Sequence, residues 1–116
     1  MPFPQINVPK GTSDEVLAAL RKEVVRVLSE KMGCSPQGVI PIFVRSILPD
    51  AESVVEGGTT ISVLLFTAMF HGKDEDPKPI LAALGTVVWK AFQGKYEVAV
   101  FVADLNPEHK VLLHPQ

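Results

Sequence analysis

Positive charge, cysteine and long apolar runs are all scarce in this sequence. Its 116 residues hold 11 Lys plus Arg against 13 Asp plus Glu. The only arginines are Arg21, Arg26 and Arg45. A nucleic-acid surface needs clustered Lys and Arg, so that class of partner is excluded. A single cysteine, Cys34, excludes an internal disulfide framework and any Cys-based metal site, and it accords with a reducing compartment. His71, His109 and His114 have no metal spacing with it, and no cofactor is expected. No run of about 18 apolar residues occurs, and no charged-then-apolar signal opens the chain. The expectation is a soluble, cytoplasmic protein with no membrane partner.

What is present is a globular balance, 47% hydrophobic and 21% charged. That suits one domain with one modest core. Phe3 to Val8 alternates loosely and predicts a strand. Lys10-Gly11 turns the chain, and Thr12-Ser13-Asp14-Glu15 has the form of a capping box with Thr12 as N-cap. Leu17, Leu20, Val24, Val27 and Leu28 then recur at helical spacing until Gly33. Val39 to Ile47 predicts a second strand, with Pro41 marking an edge or bulge. The polar loop from Leu48 to Thr60 carries Gly57-Gly58, which reads as a hairpin turn.

The pattern then repeats. Ile61 to Phe70 is apolar on both faces and predicts a buried central strand. Asp76-Pro77 is an N-cap and N1 pair. Leu81, Leu84, Val88 and Phe92 mark the buried face of a second helix that Gly94 ends, with Trp89 and Phe92 expected to pack helix on sheet. Glu97 to Ala103 predicts a fourth strand, with Glu97 and Asp104 facing solvent, and Val111 to Leu113 a short last one. Val16-Leu17-Ala18-Ala19-Leu20 parallels Ile80-Leu81-Ala82-Ala83-Leu84. The expected fold is α+β: a tandem β-α-β repeat, about 2–58 and 59–116, forming a four-stranded mixed sheet with two helices on one face of a single domain. The other sheet face would be apolar and uncovered, so a symmetric oligomer is expected to bury it.

One position raises a chemical question. Pro2 follows Met1 directly. As a strand start it is unremarkable. If Met1 is removed, Pro2 carries a free secondary amine. Pro2, Gln5-Ile6, Gly11, Ser13-Asp14-Glu15, Glu23-Val24, Ser29, Pro36, Val39 and Gly57-Gly58 together resemble the tautomerase superfamily. The first half is similar to 4-oxalocrotonate tautomerase, and the doubled length to macrophage migration inhibitory factor and to a bacterial branch of the same superfamily.

The resemblance implies a homotrimer, a small-molecule substrate bearing a carboxylate or enol, and Pro2 as general base. An α-amino group ordinarily titrates at about 7.7–8.0, and burial lowers that value. The two arginines of 4-oxalocrotonate tautomerase fall here on Thr12 and at or near Ile40. By the internal repeat Lys73 stands where the first half has Thr12, so Lys73 and His71 become candidate substrate-binding residues. Arg45 is a third, reached through a neighbouring subunit because it lies far along its strand from its own Pro2. The competing role for Arg45 is an ion pair with Asp50 or Asp104. Glu52 and Glu56 would add negative charge if the loop approaches the site. Two functions follow. One is a tautomerase-like enzyme moving a proton on a 2-oxo acid or enol, with lyase or hydratase chemistry on the same amine as a variant. The other is an inactive trimeric scaffold or small-molecule-binding protein of the same fold.

Overall fold

The computed structural model describes residues 2–47 and 60–116. Met1, Asp50, Glu52, Glu56 and the Gly57-Gly58 turn lie outside the described residues. Strand β1 (Phe3–Pro9) alternates as its sequence dictates, burying Pro4, Ile6 and Val8 and half-burying Phe3, Gln5, Asn7 and Pro9. Helix α1 (Asp14–Met32) starts one residue later than the capping box predicts. Ser13 is the N-cap, its hydroxyl accepting the Val16 N–H at 3.2 Å. The Thr12 hydroxyl is already engaged, donating to the Pro9 carbonyl at 2.7 Å and closing the turn after β1. Leu20, Val24, Val27, Leu28 and Met32 form the buried stripe, and Gly33 ends the helix at φ 65°.

Strand β2 (Ile42–Ile47) also begins later than its β-rich sequence suggests. Val39 closes the short 3-10 turn of Pro36–Gly38 by donating its N–H to the Pro36 carbonyl, and Ile40 donates to the Pro2 carbonyl, so the ladder starts only at Ile42. Pro41 therefore precedes the strand instead of bulging it. Strand β3 (Thr60–Thr67) is central, but buried on one side only: Ile61, Val63, Leu65 and Thr67 are buried, whereas Ser62, Leu64 and Phe66 are not. The expectation of burial on both faces is corrected accordingly. Helix α2 (Lys78–Ala91) follows, with the Asp76 carboxylate accepting the Lys78 N–H at 3.0 Å. Strand β4 (Glu97–Asp104) completes the sheet.

The sheet order is β2-β1-β3-β4, with β1 and β2 parallel, β3 and β4 parallel, and β1 and β3 antiparallel. Leu20, Val24 and Leu28 of α1 and Leu84 and Val88 of α2 join Ile6, Val8, Ile61, Val63 and Leu65 in one core. Both helices therefore cover the same face. Trp89 is not part of the helix–sheet packing: it is 49% exposed, its ring lying against Gly94. Phe92 does pack against the core, as expected, and also meets Tyr96 edge-on, ring centres 5.8 Å apart. Val111, Leu112 and Leu113 form no strand and are largely exposed, since no described strand pairs with them.

Cross-strand partners share a face, so the register defines the one that neither helix covers among the described residues. It carries Ile42, Val44 and Ser46 from β2; Phe3, Gln5 and Asn7 from β1; Ser62, Leu64 and Phe66 from β3; and Ala99, Phe101 and Ala103 from β4. This face is mixed, not apolar as expected. Across its middle runs a polar seam: Asn7 Nδ2 donates to Ser62 Oγ at 2.8 Å, and Ser46 Oγ donates to Asn7 Oδ1 at 3.3 Å. Apolar side chains flank the seam, with Phe101 56% exposed and Ile42 and Val44 also outward.

Candidate active site

Pro2 sits immediately before β1, on the helix-covered face with Pro4 and Ile6, and its side chain is less than 2% exposed. Its carbonyl accepts the Ile40 N–H at 3.1 Å, which ties the start of β1 to the segment entering β2. On the other side, Phe3 pairs with Phe66. Continuing that register by one residue sets Pro2 alongside Thr67, which is completely buried. Its hydroxyl accepts the Met69 N–H at 3.1 Å, so the buried oxygen has a partner.

Thr67 in turn pairs with Asp104, the last rung of the β3–β4 ladder. Asp104 is exposed, as its sequence position predicts, but it is not merely solvated. Its Oδ2 lies 3.0 Å from His71 Nδ1. One end of the sheet thus carries Pro2, Thr67 and Asp104 in a row on the same face, with His71 attached to the third member. Adjacent strands lie about 4.8 Å apart, so the backbones of Pro2 and Asp104 are roughly 10 Å apart.

Lys73 follows His71 by two residues in the β3–α2 connection. Its backbone N–H donates to the Phe70 carbonyl at 3.1 Å, and its exposed side chain makes no ion pair among the described residues. Arg45 lies at the opposite end of the sheet, paired in register with Val8. Its guanidinium bonds the Thr12 carbonyl at 3.1 Å and the Asp14 carboxylate at 2.5 Å. The ion pair expected with Asp50 or Asp104 is therefore made with Asp14, because the parallel β1–β2 pairing brings Arg45 to the start of α1. Asp104 is taken by His71.

Neither position that aligns with a family arginine carries charge. Thr12 is a turn residue, and Ile40 bonds Pro2 through its backbone and exposes an apolar side chain. Cys34 is half-buried against the core. Among the described residues there is no group of three or more His, Cys, Asp and Glu side chains placed to hold a metal ion, and no helix long and apolar enough to cross a membrane. A groove of about 410 Å³ between α1 and α2 is lined by Val16, Leu20, Glu23, Arg26, Val87 and Lys90, among others. Arg26 bonds Glu23 at 2.8 Å, holding that carboxyl below the usual carboxylate range. None of the residues lining this groove belongs to the row that contains Pro2.

Asp104 is the residue that sequence reasoning passed over. Nothing local marks it. Its significance comes from the β3–β4 register and from the turn that returns His71 to the end of β4.

No protein-family model matches the chain, and no curated protein matches it by sequence. Solved structures do match its shape. A macrophage migration inhibitory factor-like protein from Entamoeba histolytica superposes with a TM-score of 0.73 at 13% identity, over 97% of this chain and 96% of that one. A fused 4-OT (4-oxalocrotonate tautomerase) described as a symmetric trimer gives a TM-score of 0.74 at 18% identity, over 92% and 89%. A protein of unknown function from Vibrio cholerae gives 0.70 at 13%, over 96% and 83%. With the paired β-α-β units, the β2-β1-β3-β4 order and the shared helix face, these likenesses show that the chain has the fold of the tautomerase and macrophage migration inhibitory factor superfamily.

Proposed function

We propose that this chain is a tautomerase-like enzyme that moves a proton on a small 2-oxo acid or its enol, with the amine of Pro2 as general base. The observation that carries this is the position of Pro2, packed at the sheet end in line with Thr67 and the Asp104–His71 pair, in a fold shared with a 4-OT. Removal of Met1 frees a rigid secondary amine. An apolar setting disfavours its ammonium form, leaving a neutral fraction able to take a proton from carbon beside a carbonyl. Lys73 offers a point charge for a substrate carboxylate, and His71 lies beside it. Arg45 enters only through a neighbouring copy, since its own Pro2 is at the far end of the sheet.

A second function is an inactive trimeric scaffold or small-molecule-binding protein. The uncharged Thr12 and Ile40 favour it, because a developing enolate needs donors aimed at it. A lyase or hydratase would use the same amine.

In either case the uncovered sheet face calls for a partner. Phe101, Ile42 and Val44 form exposed apolar margins, and the fused 4-OT of similar shape is a symmetric trimer. Sedimentation equilibrium is expected to give three times the chain mass of 12.6 kDa. A monomer at micromolar concentration would remove the oligomer from this proposal.

The deciding measurement for the function is the intact mass of untagged protein, followed by an assay of phenylpyruvate enol–keto exchange. The expected mass is short by one methionine, with measurable exchange. A chain that retains Met1 has an amide at Pro2 and no base, which selects the scaffold.

A further inference from the structure

Building on the tautomerase reading, we propose that Asp104 is a positioning residue for His71, and that this pair supplies the second proton-transfer group of the site. Pro2 exchanges the proton on carbon, while His71 Nε2 exchanges the proton on the enol oxygen.

The contact between His71 and Asp104 fixes the chemistry. An ionised carboxylate only accepts hydrogen bonds. With Asp104 Oδ2 at 3.0 Å from Nδ1, the hydrogen of a neutral ring belongs on Nδ1. Nε2 is then an acceptor in the neutral ring and a donor in the imidazolium. Among the described residues Nε2 has no bonding partner.

Both residues are mounted on fixed backbone. Asp104 is on the last rung of the β3–β4 ladder, and the next residue, Leu105, donates its N–H to the Thr67 carbonyl at 2.9 Å. The His71 N–H donates to the Ala68 carbonyl at 3.1 Å, closing the turn that leaves β3. These anchors bring together two side chains that are 33 residues apart in sequence. They also set the pair at the end of the sheet that holds Pro2, where Thr67 lies between them. The other acidic residue of β4, Glu97, is at the far end, paired with Thr60.

The step balances without an oxidant or cofactor. In the keto-to-enol direction a C–H bond breaks, and its proton goes to the Pro2 nitrogen. The bonding pair becomes the C=C π bond, and the carbonyl π pair moves to oxygen. That oxygen takes the proton from His71 Nε2–H, which leaves neutral imidazole with hydrogen on Nδ1. Exchange with water returns a proton to His71 and removes one from Pro2. Without Asp104 the neutral ring is free to carry its hydrogen on Nε2, which presents a donor where the reverse step needs an acceptor.

The test combines ring-nitrogen NMR with kinetics on phenylpyruvate, using the full chain without Met1. His109→Gln and His114→Gln assign the other two rings. Neutral His71 is expected in the Nδ1–H form, and Asp104→Asn is expected to shift it toward Nε2–H, as an amide does when it replaces a carboxylate behind a catalytic histidine. His71→Gln is expected to lower kcat by about 10²-fold or more. Asp104→Asn is expected to lower kcat by a comparable factor with KM nearly unchanged. A His71 tautomer that is the same with and without Asp104 overturns the pairing, whatever the rates. If retention of Met1 abolishes exchange while Asp104→Asn and His71→Gln do not slow it, the dyad is wrong and the base assignment stands. If wild-type protein does not exchange the substrate, both fall.

Discussion

Protein that retains Met1 exchanges phenylpyruvate enol and keto forms about 10²–10⁴-fold more slowly than protein beginning at Pro2, the range a positioned general base contributes. The comparison centres on one atom, the Pro2 nitrogen. With Met1 present the ring occupies a fully packed position, and the Pro2 carbonyl has the Ile40 N–H to hold it at 3.1 Å. The Pro2 nitrogen is an amide in one and an amine in the other, and the methionine itself is the remaining difference. Pro2→Ala gives an intermediate case. It keeps an amine after processing but loses the ring that fills the end of the sheet. Its rate is expected to fall toward the lower end of that range. Thermal melting should separate the causes: the Met1-bearing chain should melt with the processed one, whereas Pro2→Ala should melt slightly lower. Equal rates with and without Met1 would eliminate Pro2 as the base.

Leu84→Ala is expected to destabilise the fold by about 2–5 kcal/mol, in the upper part of that range. Leu84 is completely buried in the core that α2 forms with the sheet. The cost of a large-to-small change depends on how far the surroundings can collapse into the space. Here the next residue limits that collapse. Gly85 sits so close to β4 that a Cβ on it would meet Val100 Cγ2 at 2.9 Å, so α2 is already at its nearest approach and the cavity stays open. Urea titration should show a lower midpoint with an unchanged slope. A loss below about 1 kcal/mol, no more than an Ile→Val trim costs, would show that α2 can settle deeper than this packing allows.

The four strands of the sheet, the two helices and their order were legible in the sequence, because each is written by local pattern, whereas Val111 to Leu113 forms no strand. The β1 alternation, the α1 stripe from Leu17 to Leu28 and the Gly33 stop each point to one answer. Errors arose where a neighbouring group competed. Thr12 has the right chemistry for a cap, but the Pro9 carbonyl claims its hydroxyl. Ile61 to Phe70 reads as buried on both faces because Leu64 and Phe66 are apolar, yet they lie on the uncovered side. Of the candidate site residues, Pro2 stood out by position and Lys73 through the repeat, and His71 followed from the end of β3 that an antiparallel pairing sets beside Pro2. Asp104 was not, since its value depends on β3–β4 register and on a turn, neither of which leaves a local mark. The partner of Arg45 was missed for the same reason: Asp14 lies 31 residues away and meets it only through the β1–β2 pairing.

The seam of Ser46, Asn7 and Ser62 bears on how the chain avoids misthreading. A strand that slips by one residue turns its apolar set outward, and burial alone rejects it. A slip of two is harder to reject, because inward residues stay inward and the pattern looks intact. Asn7 detects that error. Moving β3 by two against β1 brings Leu64 opposite the amide in place of Ser62, and moving β2 by two carries Ser46 out of reach of its oxygen. Each of these mismatches forfeits a hydrogen bond worth about 0.5–1.5 kcal/mol; a slip of β3 the other way offers the Thr60 hydroxyl instead and is not rejected by this contact. One amide on an inner strand thus proofreads β2, and β3 in one direction, at the step where hydrophobic patterning has no preference.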